Sequence, residues 1–347
     1  MAKSISMTGP QPLRDANDPN DYRSWGNRHY FKESHTGWVK LWVSWYDLQQ
    51  GHPASNRRQS WDYLRHLPQL RRLDGEVRAA NADGVHVILT VYQAFPTWAT
   101  GATGPDPLSS KGPEQKLPTD LSANGPWAWF IGYLSARYEG KVDALEIVNE
   151  PNTLYWPLKN IVQATAAMMR TAAEVSARWG KQAIIAPATS DTPDPGAAQP
   201  GVSMDWRSFT SQLLAALGDW RPPVPVHWSQ HNYKDVRTGV SAEASRAKQT
   251  IDMLERSSWA GPKDLWLTEG GYNLGRLWRD PAAQRLQAAR IKQNFEAMRT
   301  LPEVALWTQH GINDLAWNDF KSGLRDDFNG GGGLGSIRPA WSIWRGL

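Results

Sequence analysis

The chain has 347 residues, 40% hydrophobic and 21% charged, enough to bury the core of a large α/β domain and too apolar for a disordered chain. Its 38 basic and 34 acidic residues are interspersed and leave a net charge of +4, an ordinary mixed surface rather than a nucleic-acid footprint. Cysteine is absent, which excludes disulfides, thiolate catalysis and cysteine metal sites, and no apolar run approaches the roughly 18–20 residues of a membrane span.

The opening Met-Ala-Lys-Ser-Ile-Ser-Met carries no apolar signal-peptide stretch. The compartment stays open: a cytoplasmic protein is expected from the chain as written, and a secreted one if a leader has been removed. Residues 4–8 form a short first strand and residues 38–45 (Trp-Val-Lys-Leu-Trp-Val-Ser-Trp) a clearer second one. Leu70, Leu73 and Val77 share one face of a helix, and the β-branched run 85–91 leads into Phe95-Pro96-Thr97-Trp98. A helix over 127–138 precedes a strand at 143–148. Ile161, Thr165, Met168, Ala172, Val175 and Trp179 then recur at helical spacing. Strands follow at 182–186, 226–230, 265–268 and 304–308. The helices between them are marked by 209–217, by Ala247, Ile251 and Leu254, and by Ala288, Ile291, Phe295 and Met298. Residues 339–344 close the chain as a short helix.

Eight strands, each followed by a helix, predict a single-domain (β/α)8 TIM barrel over residues 1–347. Loop lengths agree with this. Helix-to-strand connections are short, whereas several strand-to-helix connections (101–126, 189–203, 311–337) are long and rich in Gly and Pro. Elaborated loops on one face mark the functional end of such a barrel. A doubly wound sheet also alternates strand and helix, but it needs fewer strands and gives no reason for that asymmetry. The run from Gly330 to Gly335 matches Gly-x-Gly-x-x-Gly with no strand before it, so it reads as an active-site loop rather than a phosphate cradle.

Two carboxylates stand out. Glu150 ends Leu-Glu-Ile-Val-Asn-Glu-Pro-Asn (145–152), and Glu269 ends Leu-Trp-Leu-Thr-Glu-Gly-Gly (265–271). Each sits at the C-terminal tip of a buried strand, as two-carboxylate cleavage of a glycosidic bond on a barrel requires. Pro151 stops the strand, and the Asn149 amide beside the acid can hydrogen-bond a sugar 2-OH. Glu146 points two residues deeper and reads as part of a barrel-interior polar network. Tryptophan is abundant, at 20 residues, and its flat face suits stacking on sugars. Trp45, Trp98, Trp156, Trp228, Trp278, Trp307 and Trp317 all fall at or just after strand ends and suggest an aromatic-lined cleft.

Leu-Glu-Ile-Val-Asn-Glu-Pro-Asn-Thr-Leu-Tyr-Trp resembles the fourth-strand motif of the retaining (β/α)8 glycosidases of clan A. Asn152 and Trp156 after it resemble glycoside hydrolase family 39 in particular, the family of β-xylosidases and α-iduronidases. Val148 departs from that pattern, since family members usually carry Trp there. Leu-Thr-Glu-Gly-Gly is similar to the seventh-strand nucleophile segment of the same superfamily.

The resemblance implies Glu150 as acid/base, Glu269 as nucleophile, and an oligosaccharide or polysaccharide as substrate, with no cofactor. It also implies that His231 and Tyr233, at the end of His227-Trp228-Ser229-Gln230-His231-Asn232-Tyr233, hold Glu269 ionised and oriented. Trp307 becomes the expected sugar platform, because the superfamily commonly carries a Trp on strand eight. Trp156 and Trp98 are further expected contacts, and Gln93, Asn232 and His310 are candidate hydroxyl-binding groups. No metal site is expected from His227 and His231, and no Gly-x-Ser-x-Gly elbow occurs. A non-catalytic carbohydrate-binding barrel and a transglycosylase stand as alternatives.

Overall fold

A computed structural model describes residues 1–7, 28–49, 61–92, 94–109, 111–314, 320–326 and 336–347. Eight parallel strands close into a barrel in sequence order: β1 (Ala2–Ser6), β2 (Trp38–Val43), β3 (His86–Val91), β4 (Ala144–Glu146), β5 (Ala183–Thr189), β6 (Val226–His231), β7 (Leu265–Gly270) and β8 (Val304–His310). The ring closes through β1 and β8, with Ala2 opposite Leu306 and Ser6 opposite His310. Among the described residues no helix is long and apolar enough to cross a membrane.

The helices form where the spacing predicts them. Pro68–Ala82 buries Leu70, Leu73 and Val77, and Ile161–Trp179 buries Ile161, Thr165, Met168, Ala172 and Val175. Several helix starts are fixed by side chains that accept an otherwise orphaned backbone N–H. Asp205 accepts from Ser208, Ser245 from Lys248 and Asp280 from Ala282.

Several strands differ in extent from the sequence reading. The first lies two residues earlier than expected, because its pairing with β8 runs over Ala2–Ser6. The second stops at Val43, where Ser44 Oγ accepts from Asp47 N and starts the helix Trp45–Gln49. β5 to β8 all run further toward the C-terminal face than expected, whereas the β4 ladder is confined to Ala144–Glu146.

Barrel-interior residues form layers. Trp38 and Trp266 meet edge to face near the N-terminal end and pack with Ile88, Ala144, Ile185 and Leu306. Above them the interior turns polar, with Lys40, Thr90, Glu146, Ser229 and Thr268 all fully buried. A dry barrel would fill these positions with branched apolar residues. The charge inside this one leads upward to the mouth.

Candidate active site

The two carboxylates reach the mouth by different local devices. Glu150 follows β4 in a left-handed conformation, φ 47° and ψ 54°, which costs strain in a residue other than glycine. That turn is held by Glu150 N donating to Ala188 O at 2.9 Å, and by the N–H groups of Thr153 and Leu154 donating back to Glu150 O at 3.0 Å. Pro151 begins the short helix Pro151–Leu154, where its missing N–H costs nothing.

Glu269 owes its orientation to a bulge. Across the β6–β7 ladder Gln230 faces Leu267, but the next residue, His231, faces Glu269. Across the β7–β8 ladder Leu267 faces Trp307, and Gly270 faces Gln309. β7 thus carries one extra residue between Leu267 and Gly270 on both sides. Strict alternation would send Thr268 and Glu269 to opposite faces. With the bulge, Thr268 bonds Ser229 at 2.8 Å inside the barrel and Glu269 still turns inward.

At the mouth Glu269 meets four partners. Lys40 Nζ donates to Oε1 at 2.9 Å and Tyr233 OH donates to Oε2 at 2.9 Å. The Nδ1 atoms of His310 and His231 lie 3.5 and 3.7 Å from Oε2. Burial alone would raise the Glu269 pKa, but the charges of His231, Lys40 and His310 outweigh it and hold the carboxyl well below the usual range. Glu269 is therefore held in its ionised form near neutral pH.

His231 is fully buried and bridges the pair. Its Nδ1 lies 2.8 Å from Glu150 Oε1 as well as 3.7 Å from Glu269 Oε2. Those two oxygens are consequently no more than about 6.5 Å apart, at most the short edge of the roughly 6.5–9.5 Å between carboxyl groups of inverting sites. Burial disfavours the imidazolium, but Glu269 and Glu150 more than compensate and raise the His231 pKa. Burial beside Glu269 likewise pushes the Tyr233 phenol well above 10, so it stays a donor.

Beneath the pair lies a group the sequence reading passed over. Lys40 is fully buried between Glu146 Oε2, at 2.5 Å, and Glu269 Oε1. Burial lowers its pKa, yet the two carboxylates raise it overall, so the ammonium persists. The signal was present: Lys40 is the lone charge in Trp-Val-Lys-Leu-Trp-Val, at the same parity as inward Trp38. Trp42 shares that parity, with its ring 4.6 Å from Lys40 Nζ and its edge on Tyr92. Asp191, just past β5, is buried too. Burial and nearby Asp235 push its carboxyl up to about 7, against a hydrogen bond from Lys234 N.

Other expected residues separate into those at the mouth and those elsewhere. Asn149 is buried at the end of β4 beside Glu150, and its Oδ1 has no partner among the described residues. His310 comes to the mouth, where its ring meets Tyr233 and Phe320 edge to face. Trp98 is half-buried with an edge on Trp45, and Trp156 is half-buried with its Nε1 donating to Gly112 O at 2.9 Å.

Trp307 is not a sugar platform. It faces out of the barrel, fully buried between Phe295 and Trp344, and its Nε1 donates to Asn294 at 2.8 Å. Position on the strand fixed only its height; parity sent the ring to the helix side. Trp45 and Trp228 are core as well, the first stacked on Phe130 and the second packed on Trp259. Asn232 is buried against Asn294 and the Glu269 carbonyl rather than open to a hydroxyl. His231 differs in part from expectation: its short bond is to Glu150, and Glu269 is the longer contact. Asn152 ties loops together, its amide donating to Thr192 and Met204 carbonyls while Oδ1 accepts from Ser190 N. Gln93, Trp317 and the run from Gly330 to Gly335 lie outside the described residues.

Solved structures that resemble this chain include glycoside hydrolases. A family 39 glycoside hydrolase from Bacteroides cellulosilyticus WH2 superposes with TM-score 0.62 at 15% identity, over 99% of this chain and 62% of that one. A monomeric β-xylosidase from Caulobacter crescentus CB15 gives TM-score 0.62 at 18% identity, over 99% and 66%. The β-glycosidase from Thermosphaera aggregans gives 0.57 at 12%, over 99% and 94%. The barrel has their fold. This chain spans less than two thirds of the length of the first two. No family model and no curated protein sequence matches it.

Proposed function

We propose that the chain is one catalytic domain, a retaining glycoside hydrolase that cleaves an oligosaccharide or polysaccharide by double displacement. One observation carries the reading: a single buried imidazole nitrogen contacts both Glu150 and Glu269, which supports a short separation of the kind retaining enzymes use over the longer one of inverting enzymes. Glu269, ionised and anchored by Lys40 and Tyr233, attacks the anomeric carbon. Glu150, the more exposed of the two, protonates the leaving oxygen and then takes a proton from the water that releases the sugar. Asn149, whose Oδ1 has no partner among the described residues, offers its amide to the sugar 2-OH, and the half-buried Trp98 and Trp156 are candidate aromatic contacts. The chemistry asks for no cofactor. The β-xylosidase among the similar structures makes β-xylosides the first sugars to try.

Wild type, Glu150→Gln and Glu269→Gln are incubated with a panel of aryl glycosides and polysaccharides, and released sugar is measured. Both variants should lose about 10³-fold or more of the wild-type rate. Retention of full rate in either one removes that residue from the mechanism. Saturable binding without product from wild type would point instead to a carbohydrate-binding barrel, and new glycosides formed with added acceptor sugars to a transglycosylase.

A further inference from the structure

Glu146 is fully buried one layer below the carboxylate pair, and the mechanism above does not use it. Its Oε2 accepts from Lys40 Nζ at 2.5 Å and from Thr90 Oγ1 at 2.7 Å, while its Oε1 has no partner among the described residues. The same Lys40 Nζ meets Glu269 Oε1 at 2.9 Å. One cation is thus divided between two buried carboxylates, of which only Glu269 also contacts the groups at the mouth. The other titratable groups facing Glu269 are His231 on β6, Tyr233 just beyond it and His310 on β8.

We propose that Glu146 sets the balance between the two chemical steps by competing with Glu269 for Lys40; the proposal rests on the glycosidase reading. In the first step a Glu269 oxygen bonds the anomeric carbon as the glycosidic C–O bond breaks. That bond's electron pair goes to the leaving oxygen, which takes the Glu150 proton. Glu269 becomes an uncharged ester, and Lys40 keeps its full counter-charge in Glu146. In the second step a water oxygen bonds the anomeric carbon and its proton passes to Glu150. The ester electron pair returns to Glu269, which shares Lys40 again. With Glu146 neutralised, the Lys40 charge falls wholly on Glu269 in the free enzyme, making it a poorer nucleophile and a better leaving group. The two steps therefore move in opposite directions, whereas loss of a mere structural support slows both.

The test uses near-isosteric Glu146→Gln with 2,4-dinitrophenyl β-D-xyloside and β-D-glucoside in a stopped-flow instrument. This leaving group departs readily, so release of the glycosyl-enzyme limits kcat while kcat/KM reports its formation. The expected result is a fall of about tenfold or more in kcat/KM, with kcat unchanged or raised and a smaller burst. Parallel loss of both parameters, or no change in their ratio, overturns the proposal. Lys40→Met leaves Glu146 without its cation and Glu269 with only the imidazoles of His231 and His310 for counter-charge, and adding Glu146→Gln to it should recover about tenfold in kcat/KM. A double variant no better than Lys40→Met also overturns it. Glu269→Gln separates the two ideas. Wild-type turnover in that variant overturns the glycosidase reading itself. An inactive Glu269→Gln beside an unchanged ratio in Glu146→Gln overturns only the sharing of Lys40.

Discussion

Tyr233→Phe removes one oxygen from the site and leaves the packing alone. The ring keeps its edge contacts with His231, His310 and Phe320, so the fold should tolerate the change. What disappears is the 2.9 Å hydrogen bond from the phenol to Glu269 Oε2. A hydrogen bond to a buried carboxylate contributes about 1.5–3 kcal/mol. Lys40 still anchors Oε1, so the nucleophile stays ionised. The lost bond matters most when Glu269 regains its charge, which is the second step. At about 1.4 kcal/mol per decade, kcat on 2,4-dinitrophenyl glycosides should fall about 10- to 100-fold, with a smaller change in kcat/KM and a larger burst. This is the reverse of the pattern expected for Glu146→Gln. An unchanged kcat, or a loss confined to kcat/KM, would refute the reasoning that Tyr233 stabilises the departing carboxylate.

Two further outcomes follow from the geometry. Trp307→Ala should cost about 3–5 kcal/mol in urea unfolding, because a fully buried indole and its bond to Asn294 are lost, yet leave the KM of the folded enzyme unchanged; a raised KM at unchanged stability would return Trp307 to the sugar site. Because the folded Glu269 pKa lies below its ordinary value of 4.5, its stabilisation is complete above that pH and is lost as pH falls through the folded value. The urea midpoint of Glu269→Gln should therefore decline less than that of wild type between about pH 4.5 and pH 2, and parallel declines would argue against a stabilised carboxylate.

The barrel was legible in the sequence because its causes are local. Strand runs alternate with amphipathic helices, caps such as Asp205 and Ser245 mark helix starts, and the loops lengthen on one side only. Glu150 and Glu269 were legible for the same reason, since each is a lone carboxylate where an apolar strand stops. What a side chain faces was not legible wherever pairing between strands decides it. The β7 bulge turns Glu269 inward against alternation, and only its two neighbouring strands reveal the extra residue. Trp307 sits at the right height on β8, but its parity sends it into the helix layer. Lys40 drew no notice in the sequence, because only the meeting of β2, β4 and β7 brings it between Glu146 and Glu269. Periodicity and composition act along the chain, so the sequence by itself determined the elements, their order and the two carboxylates. Burial of a charge is stable only when its partners arrive from distant strands, so the tertiary structure alone decided which charges share the interior.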